Sequence, residues 1–244
     1  MSRSDTQPLG VMDDVYARGR LNNKPLNYRF RVRALIAKTA FRKYHPNMMA
    51  PTVLDMGAAD GLTLLEMRKL LGGHGDYTGI EYSESLLASA PPLPDGVRML
   101  RGDITQLPET FADEHFDLVS CLAVLEHLTD PRAALREAYR VLKPGGVFVA
   151  TCPNPFWDHV AGMFGLVEDE HHEDELDREA MARLCREAGF REVIDRPFMW
   201  VLTGSLPYLG LQVTPSLAQQ VDEFVERFKV LDFSFVNQMV IARK

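Results

Sequence analysis

The chain has 244 residues, of which 46% are hydrophobic and 25% are charged, and its formal net charge is −7. This ordinary globular composition excludes a disordered or collagen-like chain, and the length suits one large domain with additions. The three cysteines are widely spaced, which favours a reducing compartment over a disulfide framework. The first ten residues contain no apolar stretch, so we expect no secretory signal and a cytoplasmic protein.

The N-terminal part of the chain is basic. Nine basic residues and no acidic residue lie between Val15 and Leu54. Apolar residues recur at helical spacing from Asn27 to Tyr44, with basic residues on the other faces, which predicts a basic amphipathic helix. We interpret residues 1–50 as a helical cap that can close as a lid, and residues 51–244 as the main domain.

Beyond the cap, short apolar strands alternate with helices. Strands are predicted at residues 52–55, 77–80, 97–100, 116–121, 147–151, 192–202 and 233–243. The clearest helix begins at Asp130 and Pro131, which suit the N-cap and the first helical position. The alternation predicts an α/β fold with a doubly wound, mostly parallel seven-stranded sheet. Residues 152–176 and 203–230 are predicted insertions on the substrate side.

A glycine-rich turn follows the first predicted strand, in the segment Asp55-Met-Gly57-Ala-Ala-Asp60-Gly61. In open α/β sheets the ligand binds beyond the carboxyl ends of the strands, and glycine lets it approach the backbone closely. Glu81 ends the second strand and can accept the protons of two ribose hydroxyls, whereas Asp103 ends the third strand and can pair with an exocyclic amine. A dinucleotide-binding turn of an NAD-dependent dehydrogenase is an alternative, but the middle glycine of that motif is missing.

Six motifs occur in one order: Asp55-x-Gly57-x-x-x-Gly61, Gly79-Ile-Glu81, Gly102-Asp103-Ile104, Phe116-Asp117-Leu-Val, Val124-Leu-Glu-His127-Leu and Val141-Leu-Lys-Pro-Gly-Gly146. Together they resemble the motifs of class I S-adenosylmethionine-dependent methyltransferases, particularly the branch of ubiquinone and menaquinone biosynthesis methyltransferases. The resemblance is strong over residues 53–151 and weak over residues 177–201. It implies S-adenosyl-L-methionine as the cofactor and methyl transfer to a small-molecule or lipid-like acceptor, at oxygen or carbon.

The resemblance also implies roles for individual residues. Asp55 and the glycine turn would hold the methionine moiety, and Glu81 would hold the ribose with Tyr82 beside the adenine. The residues that follow the third strand would read the adenine edge, and those that end the fourth strand would line the sulfonium side. The implied cofactor-binding residues are Asp55, Gly57, Ala58, Gly61, Glu81, Tyr82, Asp103, Ile104, Cys121 and Leu122. The middle of the turn is Ala58-Ala59 where the family more often has glycine, and alanine is small enough to fit.

Three histidines are candidate catalytic bases: His127, His171 and His172. A base is needed only where the acceptor is a hydroxyl or an ammonium, because the cofactor supplies the electrophile and the protein mainly positions the acceptor. His127 lies just past the fourth strand, and the other two lie in an acidic loop, so local packing and a solvated loop are the alternatives. Adjacent histidines point in different directions, and Cys121-Leu122 stands where metal-dependent relatives have an aspartate, so we predict no metal.

The basic cap has three interpretations. It pairs with the acidic loop, it clasps an anionic substrate, or it contacts anionic lipid beside the uncharged run from Pro197 to Val221. That run contains several prolines and glycines, so it does not predict a transmembrane helix. A nucleic-acid partner is disfavoured by the acidic chain and by the lack of an RNA-binding motif.

The sequence leaves a second class of function open. A regulatory module that binds the cofactor without turnover would keep Asp55, Glu81 and Asp103 as an enzyme does. Methyl transfer to a substrate separates the two functions. The sequence makes no prediction of the oligomeric state or of the particular acceptor.

Overall fold

The computed structural model describes residues 23–157, 159 and 176–244. Seven strands form one sheet: β1 (Thr52–Met56), β2 (Asp76–Glu81), β3 (Val97–Arg101), β4 (Phe116–Leu122), β5 (Leu142–Pro153), β6 (Arg191–Trp200) and β7 (Phe235–Arg243). Their order across the sheet is β3-β2-β1-β4-β5-β7-β6. Strand β7 is antiparallel to both of its neighbours, and the other pairs are parallel. The predicted doubly wound, mostly parallel seven-stranded sheet is confirmed.

The described residues also form helices α1 (Lys24–Tyr44), α2 (Leu62–Leu71), α3 (Glu84–Ala88), α4 (Pro131–Val141), α5 (Arg178–Glu187), α6 (Val201–Ser205) and α7 (Pro215–Val225). Three short 3₁₀ helices lie between these elements in the described chain, at Leu125–His127, Leu206–Leu209 and Lys229–Ser234. Asp130, Asp177 and Thr214 cap α4, α5 and α7, each accepting a hydrogen bond from a backbone amide three residues on. These caps explain where the three helices begin.

Two predicted boundaries are wrong. Strand β5 begins at Leu142 and not at residue 147, because Leu142 pairs with Phe116 of β4 across a bulge. The run predicted as a strand to residue 202 leaves the sheet after Trp200 and turns into α6. Both changes depend on partners far away in the sequence, which a local pattern does not contain.

Helix α1 is built into the core. One cluster of buried residues lies against α4 and α5, and a second includes α1, α2 and strand residues such as Val149. Ala34, Ala37 and Phe41 of α1 are completely buried. The Arg42 guanidinium donates to the carbonyl of Leu71 at 2.8 Å, which ties the end of α1 to α2. The described part of the predicted lid is therefore a docked helix, and the boundary at residue 50 stays a prediction.

A buried carboxylate joins β6 to α7. Asp222 accepts hydrogen bonds from the backbone amides of Met199 at 2.6 Å and Trp200 at 2.9 Å. Met199 has a φ of 59°, a left-handed conformation that is strained for a residue with a side chain, and these bonds hold it. Burial raises the pKa of Asp222 to about 6. The pKa of Tyr28 on α1 is also raised, mainly by burial and secondly by the nearby Asp222 carboxylate.

The raised pKa of Asp222 predicts a pH-dependent stability. A carboxyl whose pKa is higher in the folded than in the unfolded state stabilises the protein at low pH. The free energy of unfolding therefore falls as the pH rises from about 4 to about 6, here by at most about 3 kcal/mol. Asp222→Asn carries no such charge, so the wild type should lose stability relative to this variant across that pH range. Urea unfolding of both proteins at pH 4.5 and pH 7 measures the difference.

Comparing the two proteins cancels the other titrating groups of the chain. In Asp222→Asn one of the two oxygens that accept a hydrogen bond from a backbone amide is lost. This loss changes the stability of the variant by the same amount at both pH values, so it does not alter the slope of its stability against pH. Identical pH slopes for the wild type and the variant would contradict the assignment of a raised pKa to Asp222.

Candidate functional site

The carboxyl ends of four neighbouring parallel strands meet at one edge of the sheet. Asp55 of β1 lies in register with Gly79 of β2 on one side and with Ser120 of β4 on the other. Strand β3 lies beyond β2, so its end reaches the same edge. The topology thus brings the predicted cofactor residues on these four strands to a single edge.

The turn between β1 and α2 requires small residues. Gly57 and Gly61 both have a φ of 78°, and a Cβ on Gly57 would lie 2.5 Å from Cγ2 of Val124. The amides of Gly57 and Ala58 each donate to the carbonyl of Ile80 at 2.9 Å, which fixes the turn against β2. Helix α2 begins directly after Gly61, so its amino end and the turn face the same edge.

The Glu81 carboxylate is held by backbone amides on both oxygens. The amide of Ala59 donates to Oε2 at 2.9 Å, and the amide of Ser83 donates to Oε1 at 2.8 Å. The residue is only 8% exposed. A carboxylate oxygen can accept more than one hydrogen bond, so each oxygen can also accept a hydrogen bond from a hydroxyl group. Glu81 therefore has the position and the rigidity that recognition of a ribose diol requires.

Two further predicted residues flank this carboxylate. Tyr82 follows directly and is 45% exposed, so its ring lies open at the edge. Asp103 lies beyond β3, where its Oδ1 accepts from the amide of Thr105 at 2.8 Å and from the Thr105 hydroxyl at 2.7 Å. This Asx turn fixes the Asp103 carboxylate on the loop, and the next residue, Ile104, is buried.

The end of β4 forms a neutral wall. Cys121 and Leu122 are buried there. Burial, followed by the nearby Glu126 and Asp55 carboxylates, raises the pKa of the Cys121 thiol well above its ordinary value. A protonated thiol is a weak nucleophile, so the position does not favour Cys121 as a reactive group.

Sequence reasoning missed three residues that support the site. The Ser120 hydroxyl donates to Oδ1 of Asp55 at 2.7 Å and is completely buried. The side chain of Val124 packs on Gly57, and the sulfur of Met99 packs on Gly79. Of the three, only Ser120 could be noticed in the sequence, because it is a single hydroxyl residue within a buried apolar strand. Val124 lies in the loop after β4 and Met99 lies on β3, and nothing in their local sequence indicates these contacts.

One predicted base lies at the same edge of the sheet. His127 ends the 3₁₀ helix after β4, is half-buried, and its amide donates to the carbonyl of Val124 at 3.0 Å. His171 and His172 lie outside the described residues, as does most of the acidic loop. Among the residues that the structure does describe, no three His, Cys, Asp or Glu side chains form a metal-binding group.

A polar cleft of about 260 Å³ lies beyond β5. Its walls include Asn154, Arg178, Asp232 and Asn237. Arg178 is fixed by ion pairs with Asp195 at 3.1 Å and Asp232 at 3.3 Å. Asn154 directly follows β5, the neighbour of β4, so the cleft lies on the side of the sheet edge away from Glu81. The cleft therefore offers both hydrogen-bond donors and acceptors to a polar group.

The chain is similar to known proteins over these motifs. Residues 54–150 match a family model described as a methyltransferase domain. The chain is 42% identical over 105 residues to the ubiquinone biosynthesis O-methyltransferase of Pseudomonas putida, which is 41% of this chain and 43% of that protein. It is 30% identical over 170 residues to the demethylmenaquinone methyltransferase of Staphylococcus haemolyticus, which is 59% of this chain and 70% of that protein.

The structural comparison extends beyond the motifs. A Thermotoga maritima protein described as a S-adenosylmethionine-dependent methyltransferase, possible histamine N-methyltransferase, covers 95% of each chain with a TM-score of 0.61. At 20% identity this likeness concerns the fold alone. The chain spans about half the length of the Pseudomonas relatives, 43% of the Pseudomonas putida protein and 53% of the Pseudomonas fluorescens protein.

Proposed function

The chain belongs to the class I S-adenosylmethionine-dependent methyltransferases, and on that premise we propose that it transfers a methyl group from S-adenosylmethionine to a small, lipid-like acceptor, at oxygen or carbon. The observation that carries the proposal is the buried Glu81 carboxylate, held by one amide on each oxygen beside the glycine turn. The acceptor class is supported by the names of the relatives, which refer to ubiquinone biosynthesis and demethylmenaquinone.

The residues at the sheet edge fit this cofactor. Gly57 and Gly61 have no side chains to keep a methionine moiety away from the backbone of the turn. Glu81 suits the ribose diol, and Tyr82 and Asp103 suit the adenine. When bound, S-adenosylmethionine supplies an electrophilic methyl group. The assignments of single residues are part of the proposal and rest on their position.

The role of the chain is mainly to position the acceptor and to exclude water. Methyl transfer is an in-line displacement, so holding the acceptor atom in line supplies much of the rate enhancement. The neutral side chains of Cys121 and Leu122 do not compete with the acceptor as nucleophiles. An oxygen acceptor must also lose its proton, and His127 is the described candidate base at this edge.

For an oxygen acceptor, His127→Ala should lower kcat by about 10²–10⁴-fold while the affinity for S-adenosylmethionine stays unchanged. Wild-type activity should rise with pH, because a base must be unprotonated to accept the proton, and the variant should lose this dependence. Initial rates across pH, with cofactor affinity from calorimetry, measure both effects. His171→Ala and His172→Ala are compared in the same assay, since they are the other candidate bases.

The matched control is His115→Ala. His115 is exposed and precedes β4 at the opposite edge of the sheet, so its loss should leave kcat unchanged. If His127→Ala keeps wild-type turnover on an oxygen acceptor, His127 is not the base. If all three candidate variants do so, transfer relies on positioning alone or on an acceptor that is already ionised.

The proposed function is tested by incubating the full chain with methyl-labelled S-adenosylmethionine and lipid-like acceptors. A prenylated catechol tests transfer to oxygen, and demethylmenaquinol is the acceptor suggested by the second relative. We expect label in a lipid-extractable product together with S-adenosylhomocysteine. Cofactor binding with no label in these acceptors or in any cell-extract fraction would favour the regulatory module. Binding of NADH in place of S-adenosylmethionine would favour the dehydrogenase.

A further inference from the structure

The segment that joins β6 to β7 exposes many apolar side chains. Of the thirteen large hydrophobic residues exposed in the described chain, nine lie between residues 202 and 233, and we call them the apolar surface. Leu209 is 74% exposed and Val230 is 79% exposed. Single exposed apolar residues are common on proteins, but a concentration of this kind marks a surface that binds something.

Helix α7 shows that this exposure is organised. Its buried side is formed by Ala218, Asp222 and Val225. Leu217 and Phe224 lie on a different side of the helix and are each more than half exposed. An ordinary surface helix is polar where it faces solvent. Here an apolar stripe continues outward, and Phe228 extends it with its ring centroid 5.5 Å from that of Phe224.

The apolar surface starts at the edge of the sheet where the cofactor residues lie. Strands β5 and β6 each pair antiparallel with β7, so β6 runs in the same direction as β5. The carboxyl end of β6 therefore lies at the same edge as Glu81. A partner bound to the apolar surface would be close to the place where an acceptor enters.

The neighbouring helix is basic, although the segment itself carries acidic side chains: Glu223 is exposed, and Glu226 and Asp232 are held in ion pairs with Arg196 and Arg178. Helix α1 contacts α7 and the 3₁₀ helix Leu206–Leu209, and it contains seven basic residues and no acidic residue. The Arg29 guanidinium lies 5.8 Å from the ring centroid of Tyr208, within the apolar surface. Arg227 and Lys229 are also exposed. Apolar side chains bordered by cations are what an anionic lipid surface binds.

We propose that the apolar surface docks on an anionic lipid bilayer, with Leu209 and Val230 among the side chains that enter the interface and the cations of α1 against the headgroups. A second copy is disfavoured, because a symmetric dimer would bring two acid-free α1 helices together. The described residues contain no helix that is long and apolar enough to cross a bilayer. The proposal does not depend on the identity of the acceptor.

Vesicle sedimentation tests the proposal on the full chain, without cofactor or acceptor. The vesicles contain phosphatidylglycerol and phosphatidylcholine, or phosphatidylcholine alone. The wild type should bind the anionic vesicles more tightly, and the double variant Leu209→Asp/Val230→Asp should bind them at least about tenfold more weakly. The matched control is Met49→Asp/Leu93→Asp, which adds the same two charges at exposed apolar residues near the opposite edge and should bind like the wild type.

Two results would overturn the proposal. One is absence of vesicle binding by the wild type, or equal binding by the wild type and the double variant. The other is a wild-type dimer in sedimentation equilibrium that the double substitution converts to a monomer, which would make a second copy the occupant. Titration with S-adenosylmethionine confirms that each variant is folded. Because the vesicle assay contains no methyl donor, its failure leaves the proposed methyl transfer intact.

Discussion

Replacing Glu81 with alanine should weaken the binding of S-adenosylmethionine by at least about tenfold, because a charge-assisted hydrogen bond contributes about 1.5–3 kcal/mol. The same change removes the acceptor of the amides of Ala59 and Ser83, so the glycine turn also loses its fixed position. Calorimetric titration of the wild type and the variant measures the affinity. Glu81→Gln should also lose affinity, because one acceptor oxygen becomes a donor that faces a backbone amide.

The matched control is Asp95→Ala. Asp95 is an exposed carboxylate before β3, at the opposite edge of the sheet, so its removal should leave the affinity unchanged. Thermal unfolding of Glu81→Ala separates a lost binding contact from a lost fold. A folded Glu81→Ala variant with wild-type affinity would contradict the assignment of Glu81 to the ribose.

The sequence predicted the sheet well because its inner strands are continuous apolar runs. The fourth strand was expected at 116–121 and spans Phe116–Leu122. The inner strands of a parallel sheet are buried on both faces, so nearly every position in them is apolar and the run is visible in the sequence. The start of β5 escaped prediction because Lys143-Pro-Gly-Gly146 looks like a loop. Its backbone joins the sheet through distant partners, including a bond from the amide of Gly145 to the carbonyl of Lys244 at 3.0 Å.

The candidate site divides in the same way. The glycine turn, Glu81 and Asp103 each lie at or just beyond the carboxyl end of a strand, so their common edge could be predicted once the strands were known. The bond from Ser120 to Asp55 joins residues that are 65 positions apart, and only the register of β1 and β4 reveals it. The cofactor and base assignments of individual residues stay predictions, and those on His171 and His172 lie outside the described residues.

The largest difference concerns helix α1. Its sequence was interpreted as amphipathic, with one apolar face that includes Tyr28, Val32 and Leu35. The structure buries these residues and also a second face, on which Phe30 and Phe41 lie. At 100° per residue the second face is opposite the first, so the helix is enclosed on two sides. The basic residues of α1 favoured the interpretation as a lid, although both apolar faces of the helix pack in the core.

Phe41→Ala should therefore destabilise the whole domain and not only its N-terminal part. Phe41 is completely buried, and removing a buried phenylalanine ring costs about 3–5 kcal/mol through lost transfer energy and the remaining cavity. If α1 shares the core with the sheet, urea unfolding followed by far-UV circular dichroism and by tryptophan fluorescence should give one cooperative transition, moved to lower urea. Met49→Ala, at a 62% exposed residue just beyond α1, should change the stability by less than about 0.5 kcal/mol.

The alternative of a mobile lid makes the opposite prediction. A lid that folds over the site independently would unfold first in Phe41→Ala and leave the main transition unchanged. Hydrogen exchange of the backbone amides of residues 26–40 separates the two models in the wild type. A docked helix is protected as strongly without S-adenosylhomocysteine as with it, because its protection comes from core packing. Protection that appears only with the ligand would show that α1 opens, and the helix would then be a lid in spite of its burial.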